Sequence, residues 1–174
     1  MSTSLPNACA VIVMGVSGVG KTTLAQALAA AMKCPFIEGD SLHDERSVAK
    51  MRAGQALTDE DRWPWLDRVG AALKESASQH GVAVGACSAL RKCYRDRLRA
   101  TASANTRFIL LLAPRQTLEA RMSTRTGHYM PTSLLDSQLA TLEMPSAEDG
   151  VLMLDARQSP AELVGAILYW LEHS

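Results

Sequence analysis

The chain has 174 residues, enough for one compact domain, and 47% of them are hydrophobic, so a full core can form without disulfide or metal staples. Eighteen basic residues balance eighteen acidic ones, and a formal net charge of zero disfavours a general nucleic-acid binder while leaving room for a local basic pocket. The four cysteines (Cys9, Cys34, Cys87, Cys93) form no CxxC pair and no apolar run is long enough for a membrane span or a leader, so we expect a cytoplasmic protein without disulfides, membrane contact or nucleic-acid partner.

Strands and helices alternate along the chain. Cys9 to Met14 (CAVIVM) is a β-branched run ending at Gly15 and reads as a buried strand. Gly20 to Met32 turns helical, with Leu24, Leu28 and Met32 at fourfold spacing. Pro35 to Glu38 is a second, short strand, and Leu42 to Arg52 reads as a helix broken by Gly54. A longer helix starts near Thr58, where Thr58 and Asp61 have capping-box spacing, and ends at His80-Gly81. Val82 to Cys87 is the third strand, Leu90 to Ala102 a basic helix, and Arg107 to Leu112 the fourth strand. Helices follow over Arg115 to Ser123 and Thr132 to Leu142, then a fifth strand over Val151 to Leu154. Ser159-Pro160-Ala161-Glu162 opens the last helix with an N-cap Ser, a Pro at the first position and a Glu at the third. This order predicts an α/β fold: a five-stranded parallel sheet sandwiched by helices, in a single domain over 1–174. The least regular stretch lies between Ser123 and Pro131, and a small lid is expected over about residues 122–133.

Gly15 to Thr22 reads GVSGVGKT and satisfies GxxxxGK[ST], between a strand and a helix as that motif requires. Its glycines let successive backbone N–H groups turn towards phosphate oxygens, and the helix N-terminus adds positive potential. The expected nucleotide site is therefore Gly15, Val16, Ser17, Gly18, Val19, Gly20, Lys21, Thr22 and Thr23, with Gly18 free to vary in the motif. Lys21 is expected on the β- and γ-phosphates and Thr22 on Mg²⁺, so ATP and Mg²⁺ are the expected cofactors.

Ligands of open parallel sheets gather at the carboxyl ends of strands, which draws Glu38 and Asp40 into the site. Asp40 is the candidate base for an attacking hydroxyl, against a competing role as a helix N-cap; Glu38 is the candidate holder of a magnesium-bound water. His43, one turn on, is a candidate substrate contact. The third strand ends Cys87-Ser88-Ala89 with no acid, which argues against a motor ATPase or GTPase. Arg91, Lys92, Arg95, Arg97 and Arg99 crowd one helix. Its first turn, beside Ser88, offers Lys92 and Arg95 to an anionic substrate; the alternative is a solvated face with a Lys92–Asp96 pair. Arg121 and Arg125, just before Gly127-His128, are candidate stabilisers of the charge that develops on a transferring phosphoryl group.

Taken together, these residues resemble the P-loop gluconokinases of bacterial type. The matching stretches are MGVSGVGKTT (14–23), EGDSLH (38–43), KMRAGQALTDEDRWPWL (50–66), CSALRKCYRDRLR (87–99), GHYMPTSLLDSQLATLEMP (127–145) and VLMLDA (151–156), in family order over almost the whole chain. The resemblance implies ATP-dependent phosphorylation of D-gluconate to 6-phosphogluconate. It implies a fold like that of shikimate and nucleoside monophosphate kinases, with a small lid. Arg62 then matches an arginine that grips a substrate carboxylate in the shikimate kinases, and Asp40, His43, Arg62, Ser88, Lys92, Arg95 and His128 become the expected gluconate contacts. Thr22 stands in place of the commoner Ser, Cys93 where some relatives carry His, and Thr126 and Pro131 where the lid is often basic. The sequence is compatible with a homodimer. Another small-metabolite kinase, a non-catalytic nucleotide-sensing module and a nucleic-acid-associated NTPase stay as competing readings.

Overall fold

The computed structural model describes residues 8–103, 105–124, 133–146 and 148–174. They form a five-stranded, all-parallel sheet with helices on both faces. Strand β1 is Cys9–Met14, β2 Phe36–Glu38, β3 Val82–Ala86, β4 Thr106–Leu112 and β5 Val151–Asp155. Their spatial order is β2-β3-β1-β4-β5, so β1 sits in the centre, with Cys9 beside Val82 on one side and Ala10 beside Thr106 on the other. Every residue of β1 is buried, as expected of a strand covered on both faces.

The period of two along β1 divides the core. Val11 and Val13 face one side, with α1 (Lys21–Met32) and α7 (Pro160–His173); Ile12 and Met14 face the other, with α3 (Asp59–His80) and α4 (Lys92–Thr101). Helix α1 has twelve residues, marginal for an isolated helix. Leu24 and Leu28, both buried, hold it to the sheet, each contributing roughly 1.5–3 kcal/mol. The expected capping boxes form at Thr58–Asp61 and Ser159–Glu162.

Two boundaries differ from the sequence reading. The helix expected over Leu42 to Arg52 is two pieces: a 3₁₀ turn, Gly39–Leu42, and then α2, Glu45–Arg52. His43 is extended between them, and Asp44 caps α2 by accepting the Ser47 N–H at 2.7 Å. The second boundary concerns α5, Arg115–Thr124, which runs past the expected lid start and buries Met122 against the core. The rest of the expected lid, up to α6 (Ser133–Thr141), lies outside the described residues, with Arg125, Thr126, His128 and Pro131.

Candidate active site

The P-loop leaves the central strand at the point where the strand order reverses, the usual ligand crevice of such sheets. A cleft of about 380 Å³ opens over it, lined by Ser17 to Leu24 of the loop and α1, Arg121 and Thr124 of α5, and Ala156, Gln158, Pro160 and Leu163 around the start of α7. Gly15 and Val16 lie behind this cleft: Val16 is buried in the core, and its carbonyl accepts the Lys21 ammonium at 3.1 Å. Gly18, free to vary in the motif, is constrained here. Its φ is +82°, and a Cβ would stand 2.8 Å from Met122 Cγ. Thr22 donates its hydroxyl to Glu38 Oε2 at 2.5 Å. A hydroxyl and a carboxylate side by side at a phosphate cradle are hard oxygen donors of the kind Mg²⁺ takes together with substrate phosphates. No cluster of three His, Cys, Asp or Glu able to hold a metal occurs among the described residues.

Asp40 is held by its neighbours on the chain. Glu38 caps the 3₁₀ turn through the Asp40 N–H, at 3.3 Å. Gly39 lies so close to β3 that a Cβ would meet the Ala86 carbonyl at 2.3 Å, and its own carbonyl accepts the indole N–H of buried Trp65 at 2.8 Å. The competing N-cap role for Asp40 falls away, because Asp44 fills it.

A second, tighter cavity of about 50 Å³ adjoins the first. Asp40, His43, Arg62, Trp65 and Ser88 line it, α6 covers it with Leu134, Ser137 and Gln138, and Met51, Ala56 and Leu57 complete the wall. Ser17, Lys21 and Asp40 line both cavities and so mark the junction between them. His43 stacks on Trp65 with ring centres 4.0 Å apart, and its Nδ1 is buried without a hydrogen-bond partner. Burial pushes the His43 imidazole down to about 4, against the pull of Asp40, so it is neutral at pH 7. Arg62 donates to Tyr94 Oη at 2.8 Å; that hydroxyl donates to Asp59 at 2.5 Å, and Asp59 also accepts Arg91 at 2.8 Å.

Of the residues picked from the sequence, Ser17, Lys21, Asp40, His43, Arg62 and Ser88 come together around the junction and the second cavity, with Thr22 and Glu38 adjoining. Lys92 and Arg95 do not. Lys92 is exposed and pairs with Asp96 at 2.7 Å. Arg95 is wholly buried, bonded to Glu148 and to the carbonyls of Ala89, Leu90 and Glu143. Arg91 and Arg99 are likewise committed to Glu143 and Glu148, so the fourfold stripe of arginines ties these two acids to the start and inner face of α4. Arg121 sits on the larger cleft rather than at the junction: it bridges the Val19 and Ala156 carbonyls, each at 2.9 Å. Trp65, Tyr94 and Gln138 were not anticipated. For Gln138 a signal existed: it falls four residues after Leu134, on the buried face of its helix.

Residues 11–145 match the family model described as AAA domain. The chain is 44% identical over 149 residues to the gluconokinase of Gluconobacter oxydans, covering 86% of this chain and 83% of that one. The crystal structure of a sugar kinase from Janibacter superposes with a TM-score of 0.87 at 43% identity, covering 94% of both chains. A gluconokinase from Sinorhizobium meliloti superposes with a TM-score of 0.83 at 43% identity, covering 95% of this chain and 93% of the other.

Proposed function

Because this chain belongs to the gluconokinase family of P-loop kinases, we propose that it transfers the γ-phosphoryl group of ATP to the O6 hydroxyl of D-gluconate, giving 6-phospho-D-gluconate and ADP. The observation that carries this reading is the pair of adjoining cavities sharing Ser17, Lys21 and Asp40: a phosphate cradle on one side and, under α6 on the other, a recess lined by His43, Arg62 and Ser88.

In this mechanism the nucleotide lies along the larger cleft, with its phosphates on the Gly18–Thr22 backbone and its base towards Ala156, Gln158 and Pro160. Thr22 and Glu38 would hold Mg²⁺, which when bound neutralises charge on the β- and γ-phosphates. Asp40 orients the O6 hydroxyl and takes its proton as the new O–P bond forms and the bond to the ADP oxygen breaks. Lys21 leaves the Val16 carbonyl to balance charge on the moving phosphoryl group, Arg121 braces the cradle, and Arg125 would add charge from a lid that follows α5. Arg62 takes the gluconate carboxylate, while neutral His43 and Ser88 meet its hydroxyls, with His128 joining from the lid. The reading keeps the protein in the cytoplasm, where ATP and its four free thiols are both maintained.

A coupled assay for ADP with purified protein and a panel of sugar acids, shikimate and nucleoside monophosphates tests the reaction. Turnover with gluconate is expected; turnover with another acceptor and none with gluconate would sink the assignment. Asp40→Asn should lower kcat by about 10²–10⁴-fold while leaving ATP affinity close to the parent value.

A further inference from the structure

Helix α6 reaches the P-loop through Gln138. Its Oε1 accepts the Ser17 backbone N–H at 2.7 Å, and its Nε2 donates to Ser17 Oγ at 3.1 Å. The backbone N–H can only donate, so it dictates which end of the amide faces the loop. Gln138 is half-buried in the wall of the second cavity, and Ser17 is one of the three residues lining both cavities. A loop N–H that could otherwise face phosphate is thus satisfied by a side chain from α6, at the junction of the two cavities.

We propose that Gln138 is a positioning residue for phosphoryl transfer: by holding Ser17 at both its N–H and its hydroxyl, it sets the P-loop wall against which the terminal phosphoryl group faces the acceptor. The proposal rests on the assignment of the larger cleft to ATP. Both of these Gln138 bonds go to Ser17, ahead of the Gly18 to Thr22 amides that carry the inner phosphates in that assignment. Loss of its side chain therefore acts on transfer more than on nucleotide binding. A carboxylate in its place puts negative charge beside the γ-phosphate and far less beside the β-phosphate of ADP.

The test uses the full chain, with calorimetric titration of a non-hydrolysable ATP analogue and of ADP, steady-state kinetics, and thermal melts to verify folding. Gln138→Ala should lower kcat by about tenfold, as expected from loss of two hydrogen bonds, with the Kd for ADP changed by less than about twofold. Gln138→Glu should weaken the ATP analogue by at least about fivefold more than ADP. Equal weakening of both nucleotides by Gln138→Glu, or a kcat for Gln138→Ala within about twofold of the parent, would overturn the proposal. Failure of the parent protein itself to bind the ATP analogue would instead overturn the nucleotide assignment. If Gln138→Ala does not fold, the ATP-to-ADP ratio in Gln138→Glu decides.

Discussion

His43 and Tyr94 show how single side chains are tuned by their surroundings. His43 lies between Trp65 and the second cavity and stays neutral because burial disfavours its cation. The linkage has a definite sign. The unfolded chain binds a proton near the ordinary 6.5, whereas the native state waits until about 4. The stabilisation is fully present above pH 6.5, falls as pH drops towards 4 and is constant below. At about pH 5 it amounts to a loss of roughly 2 kcal/mol. Urea unfolding of the parent and of His43→Phe, which keeps the stack, at about pH 7.5 and about pH 5 should show the smaller drop in the variant; identical drops would mean that His43 titrates normally. Tyr94 holds Arg62, the proposed carboxylate contact, since its hydroxyl joins Arg62 to Asp59. Tyr94→Phe should raise the KM for gluconate about 5–10-fold with kcat nearly unchanged, because about one net hydrogen bond is lost at the gripping arginine. An unchanged KM would show that Arg62 needs no such support.

At the scale of elements, helix α4 illustrates how a charge pattern can mislead. Among five crowded basic residues, the sequence offers Lys92 and Arg95 to an anionic substrate, against a solvated face as the alternative, yet every one of the five has an acidic partner: Arg91 with Asp59 and Glu143, Lys92 with Asp96, Arg95 with Glu148, Arg97 with Asp67, and Arg99 with Asp96 and Glu148. Apart from Asp96, the acids come from sequence positions 30 to 53 residues away, so spacing within the helix could not reveal them. Arg95 also accepts structural duty at Ala89, a non-glycine residue with φ +44° whose carbonyl it binds. Removing one partner of this buried pair leaves the other charge stranded. Glu148→Gln is therefore expected to destabilise by about 3 kcal/mol in urea unfolding, and the double change Arg95→Leu with Glu148→Leu by less than the sum of its single changes. Additivity of the two would show that the pair is not coupled. Elsewhere local signals sufficed: both capping boxes, the N1 proline at Pro160 and the Lys92–Asp96 pair were legible because each is decided within four residues.

Across the whole molecule, two cores flank one sheet, and the proposed chemistry sits at the carboxyl end of that sheet, where β1 parts β3 from β4. Ligands that bridge the cleft should stabilise the entire fold. A non-hydrolysable ATP analogue at about a hundred times its Kd should add about 2.7 kcal/mol, raising Tm by roughly 5–10 °C, with a further rise when gluconate is added; no shift with the analogue would remove the cleft as its site. The amino-acid order was enough to settle the strand and helix succession, the parallel sheet and the phosphate loop. Hydrophobic period, capping and the glycine pattern are local, and each repeats the same answer. It also brought Asp40, His43 and Arg62 forward as candidates. Which charged groups face a ligand and which lock the fold depended on long-range pairing. Arg95 went inside to meet Glu148, Arg121 was drawn to the Val19 and Ala156 carbonyls, and Gln138 came from 121 residues away to hold Ser17. The GVSGVGKT loop follows from its own residues, but the wall it presents to an acceptor exists only once α6 has packed over it.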